Sequence, residues 1–140
     1  GGVYFAGTYN GHPVGVSAAL ATIAELQDGV AHRHCFALAE RLTMGLREIS
    51  RDLGVSMTIT RFGSIFTPYF FDGPAERYDD LLANNMALDL AFRRGMCERG
   101  IFMLPVALKR SHVSAAHTVE DIDRTLEIAR DVLRDLSAAV

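Results

Sequence analysis

The apolar residues of this 140-residue chain change period at Gly54, and that change constrains the fold more than any other feature. Before it, Leu38, Leu42, Leu46, Ile49 and Leu53 recur every three or four residues, with Glu40, Arg41, Arg47, Glu48 and Arg51 off the stripe. This spacing predicts an amphipathic helix from about Val30 to Leu53. After it, Val55, Met57 and Ile59 alternate with Ser56, Thr58 and Thr60, the pattern of a half-buried strand. Gly54 suits the left-handed position that closes a helix. A chain that carries both periods side by side must bury a helix stripe against a sheet face.

The remaining segments extend this pattern. Pro13 fits a first helical position, and Val16, Leu20, Ile23 and Leu26 follow at helical spacing with small Ala18, Ala19 and Ala21 between them. That first helix, stopped by Asp28-Gly29, is apolar on most faces, as if packed against a larger body. Arg61 to Ser64 reads as a turn into a second strand, Ile65 to Phe71, so a hairpin is expected. Pro68 removes a ladder donor and places that strand at an edge or bulge. A third helix is expected from about Tyr78 to Arg99, short strands at Ile101–Leu104 and His112–Ala116, and a last helix capped by Thr118 with Asp121 three residues on. Its inner face is Ile122, Leu126, Ala129, Leu133 and Leu136. The expected fold is therefore an α/β (α+β) two-layer sandwich, a small, mostly antiparallel sheet with helices on one face.

Composition excludes several classes. A net charge of −3 without a basic stripe leaves no nucleic-acid footprint. No apolar run reaches membrane-spanning length, and Gly1 to Phe5 has no charged start before an apolar block, so neither membrane nor leader is expected. Cys35 and Cys97 fit free thiols in a reducing cytoplasm. Among fourteen basic residues Lys109 is the single lysine, so chemistry needing a lysine amine has one candidate or none. The chain also lacks an initiator methionine and opens inside a Gly-rich loop, as a piece of something longer would.

The loop Gly7-Thr8-Tyr9-Asn10-Gly11-His12-Pro13 delivers the chain into the first helix. Free N–H groups and the positive end of the helix dipole favour an anion there, most often a phosphate. Glycine allows close backbone approach, and the Thr8 hydroxyl can donate one more bond. Such clusters are more often only turns, and the residues alone leave both readings open. His32, His34 and Cys35 invite a metal reading, but helix positions i and i+2 point about 200° apart, so no metal site is expected. Glu120, Asp121 and Asp123 are explained by the helix dipole.

Four segments in order resemble the C-terminal part of class III aminotransferases, fold-type-I enzymes dependent on pyridoxal phosphate (PLP), in the branch of the glutamate-1-semialdehyde aminomutases. They are Gly7 to Pro13 with its Ala-rich helix, Arg61 to Phe66 before Phe70-Phe71, Gly100 to Pro105, and Ser114 to Ile122. The resemblance implies that residues 1–28 trail from the large cofactor-binding domain and that 29–140 form the small C-terminal domain. It implies a homodimer acting on small amino and keto acids, with Gly7 and Thr8 reaching the cofactor phosphate of the neighbouring subunit. It also implies that the Schiff-base lysine lies upstream of Gly1, leaving no catalytic residue in this chain. Where the aminomutases read Pro-Ser-x-Phe-Glu-x-Gly-Phe, this chain has Pro105 to His112 with Lys109 in place of the acid, a departure that favours a transaminase. Arg110, in the loop that borders the active site of such enzymes, is either a substrate-carboxylate ligand or a solvated surface arginine. Arg61 reads as surface. A stand-alone, non-catalytic ligand-binding or dimerisation module is the alternative to the enzyme reading.

Overall fold

A computed structural model of the chain describes Gly2, Tyr4 and residues 6–138. Gly1, Val3 and Phe5 of the opening lie outside the described residues. Helix α1 spans Pro13–Leu26 and α2 Val30–Leu53; the hairpin strands are β1, Thr58–Phe62, and β2, Ile65–Tyr69. A 3-10 helix at Tyr78–Ala83 precedes α3, Met86–Glu98, then β3, Ser111–His112, and α4, Val119–Ser137.

The leucine stripe of α2 does what its spacing predicts: Leu38, Leu42, Leu46 and Ile49 are buried, and Leu53 is half-buried. Gly54 ends the helix at φ +65°, its N–H reaching the carbonyls of Arg51 and Ser50. Helix α4 lies against both α2 and α3 and buries Ile122, Ala129, Val132 and Leu133. Ile59, Phe66 and Phe70 complete the core from the sheet side. The sheet is antiparallel in the order β1-β2-β3, with Ile59 opposite Pro68 and Phe66 opposite Ser111. β2 is thus the middle strand, but β3 pairs only with Ile65 and Phe66, so at Pro68 the sheet still has an open side.

Four expectations need correction. The first strand starts at Thr58 rather than Val55, because Val55 continues the helix closure by donating to Ser50 O at 2.9 Å. The third helix is broken at Asn84-Asn85. The Asn84 amide oxygen accepts from Phe70 N at 2.7 Å, and Asn85 caps α3 by accepting from Leu88 N at 3.0 Å. Such short polar side chains compete for backbone groups and favour helix ends over helix interiors. Ile101–Leu104 forms no ladder. Cys97 Sγ takes the place of a neighbouring strand, donating to Met103 O at 3.0 Å and accepting from Met103 N at 3.4 Å. The last strand stops at His112, since Ser114 turns back to bond His117 Nδ1 through its N–H at 3.1 Å and its Oγ at 3.0 Å.

Candidate functional site

Between the open side of the hairpin, the start of α4 and the segment after α3 lies a cleft of about 900 Å³. Leu42, Phe66, Met103, Val113 and Ile122 form its apolar floor, with Thr67, Tyr69 and Thr125 adding hydroxyls. Among the described residues that line it, the charged or chargeable groups are Lys109, Arg110, His112 and His117, with no carboxylate. A chain of net negative charge therefore carries a locally cationic cleft, and low-dielectric walls strengthen that field.

The segment Leu104 to Arg110 forms one lip. Leu104, Lys109 and Arg110 are exposed, so apolar burial does not define their course. A buried polar network does. Asp89 and Arg93, one turn apart on α3, are fully buried and ion-paired through Arg93 Nε and Asp89 Oδ1. Arg93 Nη2 donates to Lys109 O at 2.8 Å and Nη1 to Leu104 O at 3.4 Å. Asp89 Oδ2 accepts from Leu108 N at 2.8 Å and from Asn84 Nδ2 at 3.2 Å. Leu108 sits at φ +61°, where a bulky side chain is rare.

Sequence reasoning missed this network. An Asp and an Arg at i and i+4 on a helix read as a solvated pair. The available signal was position: Asp89, Phe92, Arg93 and Met96 fall at i, i+3, i+4 and i+7, and all four are buried.

At the start of α4, Thr118 and Asp121 form the expected capping box, Thr118 N donating to Asp121 Oδ2 at 2.9 Å and Asp121 N to Thr118 Oγ1 at 3.2 Å. The Thr118 backbone N–H, then its hydroxyl, hold the Asp121 carboxyl below its ordinary range, with His117 and Arg124 adding to the effect. Asp123 is likewise lowered by its hydrogen bonds from Arg41, at 2.7 and 2.9 Å. Arg61 donates to Gly63 O at 3.1 Å in the hairpin turn and lies outside the cleft.

Of the residues singled out in the sequence, Arg110 lines the cleft, whereas Gly7 and Thr8 do not. Their loop is a tight turn, with Asn10 N donating to Gly7 O at 3.0 Å and Asn10 Nδ2 to Ala6 O at 2.6 Å. Gly7 has φ +151°, and a Cβ there would meet the Asn10 amide at 3.0 Å. No side chain caps α1, and Pro13 has no N–H to satisfy. Thr8 is exposed in the turn that leads to that uncapped terminus.

No family model matches the chain. Curated relatives do: it is 38% identical over 136 residues to the glutamate-1-semialdehyde 2,1-aminomutase of Desulfitobacterium hafniense, covering 97% of this chain and 32% of that protein. The Thermus thermophilus enzyme of the same name is 34% identical over 134 residues, 95% of this chain and 32% of the relative. Over nearly its whole length the chain is thus similar to one stretch of the glutamate-1-semialdehyde aminomutases. It spans about a third of the length of the curated relatives it matches. Among solved structures, a glutamate-1-semialdehyde aminomutase of Pseudomonas aeruginosa in complex with PMP superposes with a TM-score of 0.82 at 27% identity, over 94% of this chain and 29% of the other. An omega-transaminase of Sphaerobacter thermophilus, 23% identical over 95% of this chain and 30% of the other, shares the fold with a TM-score of 0.82.

Proposed function

We propose that this chain is the C-terminal part of a homodimeric, cytoplasmic, PLP-dependent class III aminotransferase. Residues 1–28 belong to its large cofactor-binding domain and 29–140 form its small domain. The observation that carries the reading is the 38% identity to an aminomutase across 97% of the chain, joined to a cationic cleft on the same small domain.

The turn at Gly7-Thr8 fits the cofactor's phosphate. Its glycine stands where a Cβ would crowd the turn, and it leads to a helix terminus without a side-chain cap. In the dimer Gly7 offers backbone and Thr8 a hydroxyl to the phosphate bound by the partner subunit. When bound, PLP supplies the electron sink that lets a proton leave the amino-bearing carbon of the substrate. Arg110 takes a substrate carboxylate with two parallel N–H bonds, and the apolar floor beneath it limits access of water. Lys109 is exposed on the same lip, where the aminomutase pattern carries an acid. A cation there suits release of a keto acid and admission of a second, also anionic, substrate, which supports transaminase over mutase chemistry. The lysine that holds the cofactor belongs to the upstream part of the polypeptide.

The test is to incubate the product of the complete natural reading frame with PLP, reduce with borohydride and map the modified peptide. Label on a lysine upstream of Gly1 is the expected result. Absence of label, or label on Lys109, would sink the reading and leave a non-catalytic binding or dimerisation module.

A further inference from the structure

Arg110 is bracketed by two anchored neighbours. Before it, Lys109 O is held by Arg93, and after it, Ser111 enters the sheet opposite Phe66. On the N-terminal side burial holds the lip only in part: Ala107 and Leu108 are half-buried, whereas Leu104, Pro105, Val106, Lys109 and Arg110 are exposed. What fixes it is polar and buried. One guanidinium joins the carbonyls of Leu104 and Lys109, the two ends of the lip, while Asp89 Oδ2 takes the N–H of Leu108.

A buried ion pair is a poor source of folding stability, because two charges lose their hydration. Apolar replacements of similar volume are often neutral or better. The pair does supply a fixed direction for three backbone groups. Leu108 is held at a positive φ that a leucine adopts only when its surroundings over-determine it. That twist turns Lys109 and Arg110 to the cleft.

We propose that Asp89 and Arg93 are positioning residues for the cleft: their buried pair sets the backbone of Leu104–Lys109 and so places Arg110 to receive the carboxylate of an anionic substrate. The role of Arg110 rests on the proposed transaminase reading; the clasp on the loop does not.

The experiment uses the full natural polypeptide and the double variant D89L/R93M, which replaces the pair with apolar groups of similar size. Trypsin cleavage after Lys109 and Arg110, relative to its other sites, reads the clasp without requiring activity. Release of hydrogen bonds to charged groups is expected to raise that cleavage about tenfold, with a melting temperature near the parent's. The KM for a dicarboxylic 2-oxo acid is expected to rise about tenfold while kcat stays within about twofold, and adding R110Q to the double variant has little further effect. If the double variant does not fold, Arg93→Lys serves: its ammonium keeps the pair with Asp89 but cannot fork to both carbonyls. Unchanged cleavage and unchanged KM in a folded variant would overturn the proposal. A parent without transaminase activity refutes the proposed reaction instead, and the cleavage ratio alone then decides the clasp.

Discussion

At the residue scale, the cleft's chemistry converges on Arg110, whose guanidinium is exposed at the lip of an apolar floor. Replacing it with glutamine keeps a polar side chain but removes charge and fork. In the transaminase proposed above, R110Q is therefore expected to raise KM for a carboxylate-bearing substrate about tenfold with little change in kcat, as loss of a charge-assisted bond would. Steady-state kinetics with carboxylate and non-carboxylate amino donors check it, and an equal loss for both would contradict it. The Thr118–Asp121 box makes a second residue-level prediction. Because the folded carboxyl of Asp121 is held low, first by the Thr118 N–H, its contribution is present above the unfolded carboxylate pKa and lost as pH falls through the folded value. Asp121→Asn is thus expected to lower the melting temperature at neutral pH and to converge on the parent in acid. Thr118→Ala should cost about 1 kcal/mol by removing the cap. A constant offset across the pH range would show that the box does not titrate as described. Thr118 and Asp121 were legible because a capping box is written in four consecutive residues. Asp89 and Arg93 were not, since their burial is decided by what packs on α3 and not by anything within it.

At the element scale, α2 and α4 were legible, whereas the short strands and the break before α3 were not. A helix satisfies its own backbone, so the stripe of α2 and the face of α4 sufficed to place them. Strands need a partner. Ile101–Leu104 has the composition of a buried strand, yet Cys97 Sγ answers its backbone and Phe102 stands exposed. The packing of α3 on α4 turns on Gly95, whose missing side chain leaves room for Val132. A Cβ there would lie 2.8 Å from Val132 Cγ1, and Val132 is buried with a stiff branched side chain. Alanine favours the helix by about 1 kcal/mol, whereas overpacking costs about 1–3 kcal/mol, so Gly95→Ala should be net destabilising by about 1 kcal/mol. Urea unfolding of the 140-residue chain measures this directly. A more stable variant would mean that α3 and α4 can slide apart freely, which would also loosen the Asp89–Arg93 clasp carried by α3.

At the scale of the whole molecule, the buried apolar side chains among the described residues all fall between Leu38 and Leu133, and α1 contributes none. Val14, Leu20 and Ile23 of α1 are 72%, 63% and 60% exposed, on a helix with hydrophobic residues on most sides. Such a helix is out of place on a free surface, where exposed apolar patches drive association. The sequence already pointed to a larger body beneath it, and the chain spans about a third of the length of the curated relatives it matches. Two consequences can be measured on the chain itself. Because α1 meets the rest chiefly at α2 and has no buried residue, removing residues 1–28 should leave the melting temperature within about 3 °C. Because the same deletion removes the exposed apolar helix, it should also reduce self-association in sedimentation and binding of a hydrophobic dye. A large loss of stability would place α1 inside the folding unit and move the domain boundary upstream of Gly29. Unchanged stability with lower self-association would make residues 29–140 an independent unit and support the proposed assignment of α1 to a separate, larger domain.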